Sequence, residues 1–133
     1  MKIERTGLIL YVKKYDECKS FYGNILELDI FFQNAELCCF DFYGTYLMVE
    51  KEDRKEHLDL NPEHVKNFSC IRMNVENVNE LADFLFQKNV EVDYQEHDWG
   101  KVVKFKDPDG NLLAFKDEEG FLKQIQEFKN KMD

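Results

Sequence analysis

The stretch Lys104-Phe105-Lys106-Asp107-Pro108-Asp109-Gly110-Asn111-Leu112-Leu113-Ala114-Phe115 predicts a strand, a tight turn and a second strand. Pro108 fixes φ at a value suited to a turn, and the Asp-Gly-Asn that follows tolerates left-handed backbone geometry. Apolar residues in Val102–Phe105 and Leu112–Phe115 form the two arms of a hairpin. An earlier segment, Asp41–Val49, has the same strand-turn-strand pattern. Because the pattern occurs twice, we expect the chain to contain a repeat.

A shift of 63 positions brings the two halves of the chain into register. It aligns six apolar pairs across a strand and a helix: Leu8 with Ile71, Leu10 with Met73, Val12 with Val75, Tyr15 with Val78, Cys18 with Leu81 and Phe21 with Phe84. These matches predict a repeated β-α-β-β-β unit. The fold class is therefore α+β, with two tandem βαβββ modules in a single domain.

The predicted boundaries follow from hydrophobic periodicity and from turn residues. The first module covers about residues 6–51, a charged linker 52–67, the second module about 68–117 and an amphipathic C-terminal helix 118–133. The predicted strands are Thr6–Lys13, Asp29–Phe32, Leu37–Phe42, Tyr46–Glu50, Ser69–Val75, Val90–Tyr94, Lys101–Lys106 and Asn111–Lys116. The module helices are predicted over Asp16–Leu26, with Asp16 as N-cap, and over Asn77–Lys88. The linker holds His57 and His64, and neither has metal-ligand spacing.

Composition excludes several classes of partner. The net charge of −9 disfavours nucleic acid and anionic membranes, which both require a basic surface. No apolar run approaches the roughly 18 residues that a membrane-spanning helix needs, and the N-terminus lacks the apolar core of a signal peptide. The four cysteines have no C-x-x-C spacing, so reduced thiols are expected. Together these features predict a cytoplasmic protein.

Several motifs carry a resemblance to a known group of proteins. They are the two β-α-β-β-β units, Phe21–Leu28 closing the first helix, Trp99-Gly100 before the seventh strand and Asp107–Asn111 before the last strand. Together they resemble the vicinal oxygen chelate superfamily, which includes glyoxalase I, bleomycin-resistance proteins and extradiol dioxygenases. The resemblance covers about residues 6–117 and implies two modules whose curved mixed sheets surround a cleft, usually within a homodimer. The motifs are specific for the fold and not for an activity.

The resemblance also implies four metal-ligand positions on cleft-facing strands. In this chain they fall on Gly7, Met48, Cys70 and Ala114, with a two-residue uncertainty of register that admits Glu50 in place of Met48. These residues do not replace the His and carboxylate ligands that the superfamily's divalent ions require. We therefore expect no metal and no other cofactor, which puts metal-dependent lyase and ring-cleaving chemistry in doubt.

The four implied ligand positions also predict which other side chains line the cleft, because side chains alternate between the two faces of a strand. The predicted ligand-binding residues are Tyr11, Tyr46, Met48, Cys70, Arg72, Asn74, Trp99, Ala114 and Lys116, with Ile9, Glu50 and Leu112 on the same faces. Such a mixture of apolar and aromatic groups with a few polar ones suits a small organic molecule. Two alternatives stay open: Gly7 and Ala114 remove side-chain volume and would enlarge the cleft, or Met48 fills the cleft and leaves a dead site. An ion pair between Arg72 and Glu50 is a purely structural alternative.

Three functional hypotheses remain open at this point. The favoured one is metal-free binding of a small organic molecule, with a homodimer as the expected assembly. The second is a glyoxalase-type lyase or isomerase, similar to lactoylglutathione lyase, with an atypical site. Its catalytic candidates are His97 as general base, Glu50, and Cys70 as a nucleophile activated by Arg72. The third is a non-catalytic dimer whose C-terminal helix recruits another protein.

Overall fold

The secondary structure follows the predicted repeat. The computed structural model describes residues 1–58 and 69–132. The first half contains β1 (Gly7–Val12), α1 (Tyr15–Ser20), β2 (Ile30–Gln33), β3 (Leu37–Phe42), β4 (Thr45–Lys51) and a short helical turn, α2 (Lys55–Leu58). The second half contains β5 (Cys70–Val75), α3 (Val78–Gln87), β6 (Asp93–His97), β7 (Gly100–Lys106), β8 (Leu112–Asp117) and α4 (Glu118–Met132). Helix α1 continues into a wider π-helical turn over Phe21–Ile25.

Each module forms one four-stranded mixed sheet, with strand orders β1-β4-β3-β2 and β5-β8-β7-β6. The first strand of each module runs parallel to the last, and the other neighbours are antiparallel. Gly7 pairs with Tyr46, and Cys70 pairs with Leu112. Equivalent positions are therefore 63 apart on the first strands and 66 apart on the last strands. The predicted α+β fold with two βαβββ modules is confirmed.

The core of the first unit lies between α1 and one face of its sheet. Tyr15, Cys18, Phe21 and Tyr22 are buried along the helix. On the sheet, Leu47 and Val49 of β4 are fully buried, and they pair with Phe40 and Cys38 of β3. This burial leaves the alternate residues of β4 on the other face.

The core of the second unit is built in the same way. The buried stripe of α3 consists of Val78, Ala82 and Leu85, and the Asn77 side chain caps the helix by accepting a hydrogen bond from the Glu80 N–H at 3.0 Å. The buried residues of the sheet on this side are Val103, Phe105, Leu113 and Phe115. The residues that alternate with them lie on the opposite face.

The structure corrects two local predictions. Helix α1 begins at Tyr15, and Lys14 occupies the N-cap position with no side-chain capping bond, so the prediction of Asp16 as N-cap is wrong. Strand β6 spans Asp93–His97 rather than Val90–Tyr94, because the residues after α3 first pass through a left-handed turn at Asn89, with φ of 63°. His97 consequently ends a strand and does not lie in the loop. In the linker, residues 59–67, which include His64, lie outside the described residues.

Helix α4 follows β8 without a break. Its N-terminus is capped by Asp117, whose Oδ2 accepts a hydrogen bond from the Gly120 N–H at 2.8 Å. Phe121 is half-buried, whereas Leu122, Ile125 and Phe128 are exposed. Among the described helices, none has both the length and the apolar character needed to cross a membrane.

Candidate functional site

The predicted ligand residues of the first module share one sheet face, here called the open face. It comprises three in-register pairs of β1 and β4, namely Gly7 with Tyr46, Ile9 with Met48 and Tyr11 with Glu50. Ile9 and Tyr11 remain exposed by 38% and 37%, and Met48 and Glu50 are half-buried. The open face therefore presents apolar and aromatic groups that no part of the described chain buries completely.

The pairing of β1 with β4 also decides whether Met48 or Glu50 occupies the implied metal-ligand position of β4. Met48 pairs with the residue two positions after Gly7, and Ala114 pairs with the residue two positions after Cys70. Met48 is therefore the repeat equivalent of Ala114. Glu50 is the equivalent of Lys116, since these two pair with Tyr11 and Asn74.

The space above Gly7 is not available to a ligand. A Cβ atom built on Gly7 would overlap the ring of Tyr46, because that ring lies directly over the glycine. The expectation that Gly7 enlarges the cleft is wrong. The absence of a side chain at Gly7 instead makes room for the Tyr46 ring. The pattern of residue types in the sequence does not reveal this contact.

A guanidinium group lies at one end of the open face. The Arg54 guanidinium carbon lies 4.7 Å from the centroid of the Tyr11 ring. Glu52 holds this group through two bonds, at 2.8 Å to Nε and 3.0 Å to a terminal nitrogen. The hydrogen bond from Arg54 lowers the pKa of Glu52 to about 2. The sequence did not indicate a role for Arg54, because the charged segment that follows β4 was interpreted as a solvated linker.

The corresponding face of the second module, here called the α4 face, is occupied from within the unit. It carries the in-register pairs Cys70 with Leu112, Arg72 with Ala114 and Asn74 with Lys116. Helix α4 lies along it: the Arg72 guanidinium is 5.8 Å from the Phe121 ring centroid, and Asn74 Nδ2 donates to Glu118 Oε1 at 3.0 Å. Ala114 is 1% exposed, so it leaves no open volume in this structure.

Lys116 is a fully buried cation at the start of α4. Its Nζ donates to the Trp99 carbonyl oxygen at 3.0 Å and to Asp117 Oδ1 at 2.9 Å, and it lies 5.1 Å from the indole ring centroid. Side chains at Gly100 and Gly120 would collide with this ammonium group. Lys116 thus ties the turn between β6 and β7 to the first turn of α4.

Asp117 completes this arrangement. Burial alone would raise its pKa, but hydrogen bonds from the Lys116 side chain and from the N–H groups of Lys101 and Gly120 outweigh it and lower the pKa to about 2. The carboxylate therefore stays charged and accepts all three donors at neutral pH. Buried ions persist when they are paired and hydrogen-bonded in this way.

Trp99 and His97 form a stacked pair beside Lys116. Their ring centroids are 4.5 Å apart with an interplanar angle of 12°. His97 Nε2 lies 2.8 Å from Gln95 Oε1. Trp99 is 40% exposed, so part of the indole remains accessible. The histidine already has an amide and an aromatic partner within its own unit.

Cys70 is not an activated thiol. Desolvation raises its pKa, and this effect outweighs the lowering by the positive charges of Lys104 and Arg72. The sequence correctly suggested that Arg72 acts in the lowering direction, but the net direction is upward. A thiol with a raised pKa is protonated at neutral pH and is a poor nucleophile.

The Asp107-Pro108-Asp109 turn belongs to the first unit, although the strands on both sides of it belong to the second. Asp109 is 1% exposed, and its Oδ1 accepts hydrogen bonds from the backbone N–H groups of Lys13 and Lys14 at 3.1 and 3.0 Å. The hydroxyl of the fully buried Tyr22 donates to Asp107 Oδ2 at 2.7 Å. These acidic residues are therefore structural acceptors for the start of α1, a role beyond forming the turn.

Tyr22 of the Phe-Tyr motif thus bonds to Asp107 of the Asp-Pro-Asp-Gly motif. Residues 6–118 match the model of the glyoxalase-like domain. The chain belongs to this family. Membership confirms the resemblance to the vicinal oxygen chelate superfamily.

Several solved structures share the fold at low identity. UcmS2 has a TM-score of 0.74 and 17% identity, over 89% of this chain and 100% of its own. FosX, a fosfomycin resistance protein from Listeria monocytogenes solved with Mn(II) and 1S,2S-dihydroxypropylphosphonic acid, has a TM-score of 0.71 and 17% identity, over 94% and 99%. Lactoylglutathione lyase from Agrobacterium tumefaciens has a TM-score of 0.69 and 15% identity, over 88% and 95%. No curated protein matches the chain significantly.

The residues at the four implied ligand positions of this glyoxalase-like chain do not fit a divalent metal. The side chains of Gly7 and Ala114 have no donor atom, Met48 offers only a soft thioether, and Cys70 alone offers a thiol. Within residues 1–58 and 69–132, no three His, Cys, Asp or Glu side chains lie close enough together to hold an ion. The donor set therefore disagrees with the metal chemistry that the superfamily implies.

Proposed function

We propose that this glyoxalase-like protein binds a small organic molecule on the open face of its first module, without a divalent metal. The observation that carries the proposal is the pairing of Ile9 with Met48 and of Tyr11 with Glu50 on a face that stays partly exposed. On the opposite face, Leu47 and Val49 of β4 are fully buried, whereas Leu8 of β1 is 45% exposed. Apolar side chains left exposed in register typically mark a binding surface.

The chemistry of the open face favours a flat, largely apolar ligand that carries a hydrogen-bond donor. Tyr11 and Tyr46 offer aromatic rings for stacking. Glu50 offers an acceptor at the end of the same face. Aromatic or peptide-like amines combine the two features. A small number of polar groups within an apolar lining fixes the orientation of such a ligand.

The environments of two of the three catalytic candidates, Cys70 and His97, favour binding over catalysis. Cys70 has a raised pKa, and His97 is stacked on Trp99 with its Nε2 beside Gln95. A general base or nucleophile needs a free lone pair at the reacting centre. The lyase alternative gains no support from the environment of either residue.

The metal-free part of the proposal is tested with protein purified without a chelator. Metal content is measured by mass spectrometry, and the melting temperature is recorded with added Ni(II), Zn(II), Mn(II) and Fe(II). We expect substoichiometric metal and no shift, because only an ion that binds the native state raises its stability. A stoichiometric ion or a clear rise in melting temperature contradicts this part and revives metal-dependent chemistry.

The binding surface is tested with a panel of aromatic and peptide-like amines screened by ligand-observed NMR. Met48→Ala should weaken the affinity of each hit roughly tenfold, because it removes apolar contact at the centre of the open face. Arg72→Ala on the α4 face is the matched control and should leave the affinity within about twofold. Loss of binding in the Arg72 variant, with none in the Met48 variant, would move the site to the second module. No hit at all would overturn the proposal.

We also propose a cytoplasmic location. All four cysteines are free thiols, and Cys18, Cys38 and Cys39 are buried in the core of the first unit. Unpaired cysteines are typical of reducing compartments. Fractionation of the native host with an antibody against the chain would test this location.

A further inference from the structure

One end of the α4 face carries positive charge and stays exposed. Helix α4 starts where β8 ends, so its first turn contacts the end of the face at Asn74 and Lys116. At the other end of the face, Arg72, Lys104 and Lys106 are exposed. We call these three residues the cationic end. The helix therefore leaves part of the α4 face accessible to solvent.

The register of the strands brings the charges of the cationic end together. Arg72 of β5 and Lys104 of β7 both pair with Ala114 of β8, so the two cations flank one small residue on the same face. Neighbouring strands lie about 4.8 Å apart, which separates the two backbones by roughly 10 Å. In the next row, Lys106 pairs with Leu112. Three cations thus occupy two adjacent rows of the sheet.

Cys70 marks the point on which two of these charges act. Its side chain is exposed and belongs to the same row as Leu112 and Lys106. The charges of Lys104 and Arg72 both act on the Cys70 thiol in the direction that lowers its pKa. Salt and water screen exposed charges over about 10 Å. Both cationic groups therefore lie near the same exposed point of the face.

No carboxylate neutralises the cationic end in the part of the chain that the structure describes. None of the ion pairs there involves Arg72, Lys104 or Lys106. Asp93 is in register with Lys104, but its Oδ2 accepts a hydrogen bond from Gln95 Nε2 at 2.9 Å. The chain has a net charge of −9 and as a whole repels anions. The cationic end is a local exception to this repulsion.

The two cations offer complementary donors. The Arg72 guanidinium lies over the ring of Phe121, with its carbon 5.8 Å from the ring centroid. A guanidinium in such a contact can still donate from the N–H groups in its plane, whose fork matches a carboxylate or phosphate. The Lys104 ammonium adds a compact charge with three donors. This combination of groups is suited to an oxyanion.

We propose that the cationic end binds an oxyanion, the phosphate or carboxylate group of a small molecule, between Arg72 and Lys104 and beside Cys70. Ala114 is 1% exposed, so the anion is held by the exposed charged groups and not in a cavity beneath them. Solvent screens charges of this kind, and we expect a dissociation constant on the order of 1 mM for inorganic phosphate. The site is separate from the open face of the first module, and neither proposal depends on the other.

The reactivity of Cys70 provides the measurement. All four cysteines belong to the described part of the chain, and only Cys70 is exposed. Its thiolate attacks the disulfide of dithiobis(nitrobenzoate), a dianion, to form a mixed disulfide and release one coloured thiolate. At constant ionic strength, about 5 mM phosphate should slow this reaction at least threefold, because phosphate competes with the dianion. The reaction with neutral dithiodipyridine should change by less than about twofold.

Variants identify the groups that hold the anion. Protection is the ratio of rates without and with phosphate, so a changed Cys70 pKa cancels within each variant. Lys104→Ala should raise the phosphate concentration needed for half-protection about fivefold. Arg72→Lys keeps the charge but loses the fork, and should raise it about two- to threefold. Lys101→Ala is the matched control, because Lys101 is an exposed lysine on the opposite face of the same strand, and it should have no effect.

Titration with malonate in place of phosphate distinguishes the two sources of the oxyanion. Stronger protection by malonate assigns the site to carboxylates, and stronger protection by phosphate assigns it to phosphate esters. Circular dichroism confirms that each variant folds. Absence of protection by both anions overturns the proposal. Equal weakening by Lys101→Ala and Lys104→Ala also overturns it, because the effect would then reflect overall charge and not a site.

Discussion

The two modules have the same strand order and register but place equivalent residues in opposite environments. Glu50 and Lys116 occupy the same repeat position; Glu50 is half-buried, whereas Lys116 is fully buried. Tyr43 and Asp109 precede the equivalent turn glycines; Tyr43 is 87% exposed and Asp109 is 1% exposed. A repeated backbone therefore does not imply a repeated function.

The difference arises from what covers each sheet. In the second module α4 begins directly after β8 and contributes contacts to Arg72 and Asn74. In the first module β4 is followed by the short turn α2, and the open face retains exposed apolar groups. The chain after the last strand of a module thus determines whether its outer sheet face is available to a ligand.

The largest expected effect tests the equivalence of Lys116 and Glu50. Lys116→Met should lower the free energy of unfolding by about 2–3 kcal/mol, because it removes a buried cation and leaves Asp117 and the Trp99 carbonyl without that donor. Urea denaturation followed by Trp99 fluorescence and circular dichroism measures the loss. Glu50→Met is the matched change at the equivalent position and should stay within about 0.5 kcal/mol. Equal losses in the two variants would show that the environments do not differ energetically.

A somewhat smaller effect is expected at the equivalent turns. Asp109→Ala should cost about 2 kcal/mol, because the Lys13 and Lys14 N–H groups lose a buried acceptor. Tyr43→Asn is the comparison and should be nearly neutral, since Asn accepts the left-handed backbone found at this exposed position, where φ is 53°. Thermal melts of both variants provide the measurement. A neutral Asp109 variant would remove the distinction between the two turns.

The smallest expected effect is a decrease in the free energy of unfolding at low pH. The folded-state pKa of Asp117 is lowered from 3.8 to about 2, so its stabilisation is complete above about pH 4 and is lost as the pH falls through 2. Because the side chain is 19% exposed, we expect a contribution of about 1–2 kcal/mol. Asp117→Asn keeps a capping side chain but removes the charge. It should flatten this part of the stability curve measured from pH 6 to about pH 2.

Glu52 titrates in the same range and supplies the comparison from the first unit. Its pKa is also lowered to about 2, but its partner Arg54 is 45% exposed. Solvent screens such a pair more strongly than the buried Lys116–Asp117 pair. Glu52→Gln should therefore flatten the acid limb less than Asp117→Asn. The opposite order would indicate that the first unit holds the stronger ion pair.

Local patterns in the sequence predicted the repeat, the order of strands and helices along the chain and the two sheet faces. The 63-residue shift placed β1 and β5 in register, and the family resemblance placed Met48 and Ala114 at equivalent positions. These features depend on periodicity within short segments, and periodicity is visible in a sequence. The register of β4 needed the observed pairing, because side chains two residues apart lie on the same face of a strand.

Contacts between distant residues were beyond sequence reasoning. Asp109 bonds to backbone groups 95 and 96 positions away, and Tyr22 bonds to Asp107 85 positions away. Turn propensity accounts for the acidic residues of that loop without these bonds, so the sequence offered no reason to expect burial. The Tyr46 ring over Gly7 and the burial of Lys116 depend in the same way on packing in three dimensions.

The Asp107–Asp109 turn has a consequence for how such a chain can be divided. Its three residues complete the first unit, yet they are encoded after most of the second. A fragment that ends before residue 107 lacks the acceptors for the Lys13 and Lys14 N–H groups and for the Tyr22 hydroxyl. During synthesis, Lys13, Lys14 and Tyr22 therefore acquire these partners only after residues 107–109 have left the ribosome. The first unit is therefore not a contiguous segment of the chain, and division of the chain between the two sheets would remove part of it.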